Sequence, residues 1–222
     1  MCAFTVQNIF SIACRDRCMS KLRTLIPLPT HGKPPIATAA VLVPLCRVDG
    51  VPSLLYTVRS TNFRPDIIYS GQVSFPGGKC QRDETAVQTA LRETREELGL
   101  PSEKINVWGQ GPAIPSRTNE FMITPVIGTI LDLKHTDVII NVNEVAEAFA
   151  VPVAHLCDPK NQFYTQFSNG HISPVFVADD FKIWGITAYI THAFLTCALS
   201  KNVYQNEWLR KKAEIKTEEK KE

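Results

Sequence analysis

Residues 78–100 read GKCQRDETAVQTALRETREELGL, and seven of these positions carry glycine, glutamate or arginine at a fixed spacing. The pattern G-x5-E-x7-R-E-x-x-E-E-x-G is formed by Gly78, Glu84, Arg92, Glu93, Glu96, Glu97 and Gly99. At an ordinary usage of about 6–7% per residue type, such a match arises by chance on the order of once per million chains. The spacing is therefore not accidental.

A helix is predicted over Glu84–Leu98, because apolar residues recur there at steps of three and four. At ~100° per residue, Glu97 lies ~40° and Glu96 ~60° from Glu93 around the helix. We therefore expect the three carboxylates to converge on one face, while the aliphatic residues are buried on the other. Gly99 is placed to end the helix.

Converging carboxylates repel one another, and a hard cation with oxygen ligands removes that repulsion. Glu93, Glu96 and Glu97 are therefore predicted to bind Mg²⁺ or Mn²⁺. Arg92 lies one turn from Glu96 and can orient its carboxylate. We group Arg92 with Glu93 and Glu97 as predicted catalytic residues. The general base is one of the three glutamates or a glutamate of the later segment 142–147, namely Glu144 or Glu147.

This pattern is the Nudix box, and the chain resembles the Nudix hydrolases. The resemblance implies an α/β fold, an α/β/α sandwich in which the box helix packs against a mixed sheet. It also implies that water, assisted by a divalent metal, attacks a pyrophosphate and releases two phosphomonoesters. A non-catalytic Nudix binding module is the alternative of another class. Such modules usually lose box carboxylates, whereas this chain retains them all.

The segment Leu54–Lys79 resembles the second signature of the coenzyme A diphosphatases, and the likeness is to their animal mitochondrial type. The matching residues are Arg59, Ser60, Arg64, Gly71, Phe75, Pro76, Gly77 and Gly78. This resemblance implies cleavage of coenzyme A or acyl-CoA to 3′,5′-ADP and (acyl-)4′-phosphopantetheine. The predicted substrate-binding residues are Arg59, Arg64, Gly77, Gly78 and Lys79.

An alternative substrate class is ADP-ribose or a nucleoside-diphosphate sugar. Hydrolases of that class often carry a proline sixteen residues past the box glycine, and Pro115 stands at this distance from Gly99. Pro112 lies nearby, so a proline in this segment does not by itself select the substrate. Both substrate classes remain open.

The composition limits the remaining function classes. The 222 residues are 44% hydrophobic, which suits one substantial core. The net charge of +2 argues against a nucleic-acid partner, and no apolar run reaches the ~20 residues of a membrane span. Seven cysteines at irregular spacings indicate reduced thiols rather than a disulfide framework. The oligomeric state remains open.

Three regions are predicted along the chain. Residues 1–34 form a leader, basic and hydroxylated as mitochondrial transit peptides are, with an ordinary flexible leader of a cytoplasmic protein as the alternative. Residues 35–200 form the Nudix domain, and 201–222 a charged, solvated tail. The chain ends Lys220-Lys221-Glu222, which is not a C-terminal peroxisomal signal.

Apolar runs bounded by turn residues predict the secondary structure around the box. Strands are expected at Ala37–Leu45, Ser53–Arg59, Asn106–Trp108 and Met122–Leu131, with a turn at 48–50. Residues 145–156 are expected to combine the end of a strand with a short helix. A final helix is expected over Thr187–Leu199, capped by Thr187.

Overall fold

A computed structural model describes residues 6–26, 29–30, 34–60, 72–167, 170 and 172–213. Its helices are α1 (Ile12–Arg23), α2 (Ala86–Leu98), α3 (Val153–Cys157) and α4 (Gly185–Ala198). Its strands are β1 (Ala37–Val48), β2 (Val51–Arg59), β3 (Val73–Ser74), β4 (Gly77–Lys79), β5 (Asn106–Gln110), β6 (Ile114–Pro115), β7 (Phe121–Ile130), β8 (Val145–Pro152), β9 (Gln162–Gln166), β10 (Ile172–Ala178) and β11 (Phe181–Ile183).

Strand β1 lies at the centre of a mixed sheet of eight strands. It pairs antiparallel with β2 and β4, and parallel with β7. Strands β3 and β8 extend the sheet beyond β2, while β5 and β6 extend it beyond β7. Strands β9, β10 and β11 form a separate antiparallel sheet. Side chains of β1 are buried on both faces of the sheet, which explains why its sequence is a nearly continuous apolar run.

The central sheet is covered by helices on both faces. Ala40 and Leu42 of β1 belong to an apolar cluster that includes Ala90 and Leu98 of the box helix α2. Val43 of β1 belongs to a second cluster, which contains the buried side chains of α1 and α4. Neighbouring residues of one strand thus face opposite layers, as the period of two requires. The predicted α/β/α sandwich with a mixed sheet is confirmed.

The elements predicted around the box are present in the structure. The strands expected at 37–45, 53–59, 106–108 and 122–131 correspond to β1, β2, β5 and β7. Asp49 and Gly50 both have positive φ, as a tight turn between antiparallel strands requires. Residues 145–156 form β8 and most of α3, so the expected mixture of strand and helix is confirmed.

Two features of the C-terminal half differ from the sequence prediction. Helix α4 begins at Gly185, and Thr187 is buried with its hydroxyl donating to the carbonyl of Val73. Thr187 therefore joins α4 to β3 instead of capping the helix. The sheet of β9–β11 was not predicted, because β9 and β11 are short and mix polar with apolar residues, and β10 contains Pro174, a residue that disfavours strands.

Residues 6–26, which the sequence analysis assigned to a leader, are packed onto the domain. Ser11 caps α1 by accepting a hydrogen bond from the backbone N–H of Cys14. Four side chains of α1 are buried in the core cluster, namely Cys14, Cys18, Met19 and Leu22. The Cys14 thiol donates to the carbonyl of Ala198, and Arg17 donates to the carbonyl of Leu199. The folded unit thus includes α1, and a targeting role of this segment stays a prediction.

The first part of the predicted tail is also packed. Tyr204 is buried, and its hydroxyl lies 2.8 Å from Nδ1 of His192 on α4. Tyr164 of β9 forms backbone hydrogen bonds with Lys211 and Ala213. Residues 201–213 are therefore joined to the domain, and 214–222 lie outside the described residues. Within the described part of the chain, no helix is both long and apolar enough to cross a membrane.

Candidate active site

The box helix α2 has a defined start and end. Thr85 accepts a hydrogen bond from the backbone N–H of Gln88, and the Gln88 side chain accepts one from the backbone N–H of Thr85. This reciprocal capping box satisfies two N–H groups that lack partners within the helix. Gly99 ends the helix in the left-handed conformation, as its position predicted. The glutamates of α2 are thus held on a rigid element.

Strand β4 brings Gly77 and Gly78, the glycine loop, against the glutamates of α2. The backbone N–H of Gly77 donates to Oε2 of Glu97 at 3.1 Å. A Cβ atom added at Gly78 would lie 2.4 Å from Cδ of Glu93. Residue 78 must therefore be glycine for the strand to pass this close to a carboxylate.

The carboxylates of Glu93, Glu97 and Glu144 form one cluster, in which one oxygen from each lies within 4.8 Å of the others. Glu93 and Glu97 are on α2, whereas Glu144 immediately precedes β8. In the sequence-based prediction, Glu144 and Glu147 were only alternative candidates for the general base. Glu147 is exposed on β8 and is not a member of this group. A cluster of oxygen donors alone matches the ligand preference of Mg²⁺ and Mn²⁺.

The surroundings of the cluster disfavour the charged forms of its carboxylates. The pKa of Glu97 is raised to about 8, mainly by burial and also by the charges of Glu93 and Glu144, against the opposing influence of Arg59 and the Gly77 N–H. Burial also raises the pKa of Glu93, although Arg92 acts in the opposite direction. A cation bound among these groups would favour their charged forms. The side chains present therefore fit a divalent metal.

Glu96 lies outside this group. Its side chain is 49% exposed, and its Oε2 accepts a hydrogen bond from Nη1 of Arg92 at 3.0 Å. The group found in the described residues thus combines two glutamates of α2 with Glu144, and metal binding by Glu96 stays a prediction. The angle around the helix axis places Glu96 near Glu93, and Nη1 of Arg92 donates to both carboxylates.

Arg92 bonds to three of the box carboxylates, including that of Glu96. Its Nε and Nη2 donate to the two oxygens of Glu84 at 2.7 and 3.0 Å, and its Nη1 donates to Oε1 of Glu93 at 2.8 Å. Nη2 also donates to the carbonyl of Lys79 at 3.2 Å. The bidentate hydrogen bonds from Arg92 lower the pKa of Glu84 to about 2. Arg92 therefore fixes the Glu93 carboxylate relative to both the helix and the glycine loop.

The predicted substrate-binding residues differ in position. Arg59 lies at the exposed end of β2, and its charge acts to lower the pKa of Glu97. Gly77 and Gly78 border the cluster directly. The Nζ of Lys79 lies 5.0 Å from the centre of the Phe121 ring. Arg64 lies outside the described residues.

The family model described as NUDIX domain matches residues 37–170, which contain the sheet, the box helix and the carboxylate cluster. The chain belongs to the Nudix family. It is 44% identical over 176 residues to human mitochondrial coenzyme A diphosphatase NUDT8, covering 76% of this chain and 72% of the relative. Identity to the Mus musculus protein of the same description is 45% over 174 residues, covering 76% of this chain and 81% of the relative.

The likeness extends to a third animal sequence. Nudix hydrolase 3 of Caenorhabditis elegans is 31% identical over 216 residues, which cover 86% of this chain and 88% of the relative. This Nudix chain is accordingly a hydrolase of the family that cleaves phosphorus-containing anhydrides.

Proposed function

We propose that this Nudix hydrolase cleaves the pyrophosphate of coenzyme A and acyl-CoA to 3′,5′-ADP and (acyl-)4′-phosphopantetheine. The identity of 44–45% to coenzyme A diphosphatases of human and mouse supports this substrate. The observation that carries the hydrolytic role is the cluster of Glu93, Glu97 and Glu144 beside the glycine loop, in which Glu97 is buried. The human and mouse relatives are both described as mitochondrial, which supports a mitochondrial location for this chain.

The cofactor we propose is Mg²⁺ or Mn²⁺, held by Glu93, Glu97 and Glu144, with Glu96 as a further predicted ligand. Bound cations neutralise charge that develops on the non-bridging phosphate oxygens and lower the pKa of the attacking water. The protein supplies oxygen ligands on a capped helix, and it keeps Glu97 in register through the Gly77 N–H.

The proposed reaction requires a base and a binding surface for phosphate. One carboxylate of the cluster accepts the proton of the attacking water, whose oxygen bonds to phosphorus as the anhydride P–O bond breaks. Gly77 and Gly78 leave the β4 backbone free of side chains beside the cluster, where a Cβ at Gly78 would collide with the Glu93 carboxylate, and we propose that the substrate pyrophosphate approaches this backbone. Arg59, whose charge acts on Glu97, is the proposed cation for the substrate phosphates, because a guanidinium fork matches phosphate oxygens.

A substrate panel tests the proposal. Coenzyme A, dephospho-coenzyme A, ADP-ribose and NADH are compared with Mg²⁺ present, on wild type and on Arg59→Ala. We expect coenzyme A to be hydrolysed most efficiently. If Arg59 binds the 3′-phosphate, dephospho-coenzyme A lacks this contact. The missing contact should cost roughly 1.5–3 kcal/mol of transition-state stabilisation, so kcat/KM should be about tenfold to over a hundredfold lower than for coenzyme A.

Arg59→Ala should reduce the preference for coenzyme A over dephospho-coenzyme A, whereas Arg95→Ala, which removes an exposed arginine of α2, should not. Equal loss on both substrates would make Arg59 a structural residue. Faster hydrolysis of ADP-ribose than of coenzyme A would overturn the proposed substrate and favour the class suggested by Pro115. Hydrolysis of neither would support a binding module.

A further inference from the structure

Glu144 reaches the carboxylate cluster from a loop, so its position must be fixed by contacts outside α2. The loop precedes β8, and Asn141 is its best-connected residue. The backbone N–H of Asn141 donates to the carbonyl of Glu97 at 2.9 Å. The carbonyl of Asn141 accepts from the N–H groups of Glu144 and Val145 at 2.9 and 2.8 Å. The Asn141 backbone thus joins the last turn of the box helix to Glu144.

The side chain of Asn141 adds a direct contact with the catalytic cluster. Its Nδ2 donates to Oε1 of Glu144 at 3.2 Å, while its Oδ1 accepts from the backbone N–H of Asn143 at 3.2 Å. The second bond fixes the orientation of the amide, because a backbone N–H can only donate and must meet the oxygen. The NH₂ group must therefore face Glu144.

An amide is suited to holding a carboxylate that must bind something else. It carries no charge, so it orients Glu144 without neutralising it as arginine does to Glu84. A carboxylate has two oxygens with several acceptor positions, so a bond from the amide to Oε1 leaves capacity for a cation or water. Partners that orient metal-ligating side chains in this way commonly change metal affinity or activity by 10–100-fold when mutated.

We propose that Asn141 is a positioning residue, whose amide holds the Glu144 carboxylate beside Glu93 and Glu97 for metal binding and catalysis. The inference rests on the proposed function of the cluster and assigns to it a residue outside the box. Asn141 acts through Glu144 and does not itself contact the phosphate.

Asn141→Ala removes both side-chain hydrogen bonds and leaves the backbone bonds in place. Asn143→Ala is the matched control, because Asn143 bonds to Asn141 through its backbone N–H, which alanine keeps. We expect Asn141→Ala to weaken Mn²⁺ binding about tenfold, measured by electron paramagnetic resonance of the free ion. With coenzyme A, kcat should fall about tenfold while KM stays within threefold. Asn143→Ala should match wild type in all three quantities.

Two further variants separate positioning of Glu144 from general loosening of the loop. Asn141→Asp keeps an acceptor for Asn143 but cannot donate to Glu144, so its kcat should fall as far as that of Asn141→Ala. In a Glu144→Gln background, Asn141→Ala should lower kcat by less than twofold more, because residues acting through one another are not additive.

The inference would be overturned if Asn141→Ala kept the Mn²⁺ affinity and kcat of wild type, or if Asn141→Asp kept the kcat of wild type. It would also be overturned if the effects of Asn141→Ala and Glu144→Gln on kcat were fully additive. Failure of the proposed function gives a different pattern. If wild type hydrolyses none of the four substrates of the panel, the Mn²⁺ affinities of Asn141→Ala and Asn143→Ala still decide whether Asn141 positions Glu144.

Discussion

Gly78 of β4 lies directly against the carboxylate of Glu93 on α2, so that a Cβ at residue 78 would come within 2.5 Å of both carboxylate oxygens. No real Cβ approaches an oxygen this closely, so a larger residue at this position must displace Glu93. Arg92 also bonds to Glu93, to Glu84 and to the carbonyl of Lys79. Movement of Glu93 would therefore disturb the ion pairs that join the helix to the glycine loop.

The first prediction is that Gly78→Ala lowers kcat/KM by about a hundredfold, because small displacements of catalytic groups carry costs of that order. Steady-state hydrolysis of coenzyme A measures the loss. Gly111→Ala is the control, since its added Cβ meets Pro125 and Leu22 on the α1 side of the sheet. Equal activity losses in the two variants, accompanied by equal losses in melting temperature, would contradict a specific effect on Glu93.

The second prediction compares two glutamates of the box. Glu97 is 6% exposed and lies in the cluster, whereas the half-exposed Glu96 is paired with Arg92. Glu97→Gln should lower turnover by ~10²–10⁴, because it removes a charged ligand from the catalytic centre. Glu96→Gln should lower turnover by a factor at least ten times smaller, because the Glu96 carboxylate is half-exposed to water and already paired with Arg92.

Both glutamine variants should keep the fold, since glutamine at position 97 still offers an oxygen to the Gly77 N–H. Melting curves recorded without metal provide this control. Turnover of Glu97→Gln within about threefold of wild type would remove Glu97 from the mechanism. A larger loss in Glu96→Gln than in Glu97→Gln would restore the arrangement predicted from the helical angles alone.

Local signals in the sequence account for what it predicted correctly. The box helix, its glycine end and the neighbouring strands follow from periodicity and turn residues within short segments. Glu144 could not be selected over Glu147 in this way, because its place in the cluster depends on tertiary hydrogen bonds. One joins the loop to the carbonyl of Glu97, and another joins Ser60 to the carbonyl of Glu144.

The sequence also could not distinguish a packed helix α1 from a leader. A basic segment with scattered apolar residues is typical both of transit peptides and of surface helices. The difference lies in docking: Cys14 and Arg17 bond to the carbonyls that end α4, and Met19 packs over Gly109. These contacts join residues far apart in the chain, so they cannot be predicted from local composition.

The third prediction concerns the contribution of α1 to stability. Leu22 is 2% exposed in the core, while Ile12 on the same helix is 70% exposed. Leu22→Ala should lower the free energy of unfolding by about 2–4 kcal/mol through lost burial and a cavity. Ile12→Ala should change it by less than about 0.5 kcal/mol. Urea unfolding followed by circular dichroism gives both values, and similar values for the two variants would contradict the docking of α1.

The packing of α1 also constrains the proposed mitochondrial leader. If import removes a leader, we expect cleavage to spare residues from Ile9 onward, because Ile9, Cys14, Cys18, Met19 and Leu22 are buried in the core. N-terminal sequencing of the protein isolated from mitochondria checks this. A mature, stable enzyme that begins after residue 26 would show that the core does not need α1.

The fourth prediction concerns acid stability and rests on His192. This residue is largely buried on α4, where Nδ1 lies 2.8 Å from the Tyr204 hydroxyl and the ring meets the edge of Trp208. Burial lowers its pKa from 6.5 to about 4. The unfolded chain therefore takes up a proton below pH ~6.5 that the folded protein refuses until about pH 4, so the free energy of unfolding falls as pH decreases through this window.

For this pKa difference the loss between pH 7.5 and pH 5 is about 2 kcal/mol. Other groups titrate over the same range, so the measurement is the difference in pH dependence between wild type and His192→Gln. Glutamine cannot take up the proton, and its free energy of unfolding should fall by about 2 kcal/mol less over that interval. His135→Gln, which alters an exposed histidine, should follow the wild-type profile. Identical profiles for wild type and His192→Gln would mean that His192 titrates equally in the folded and unfolded states.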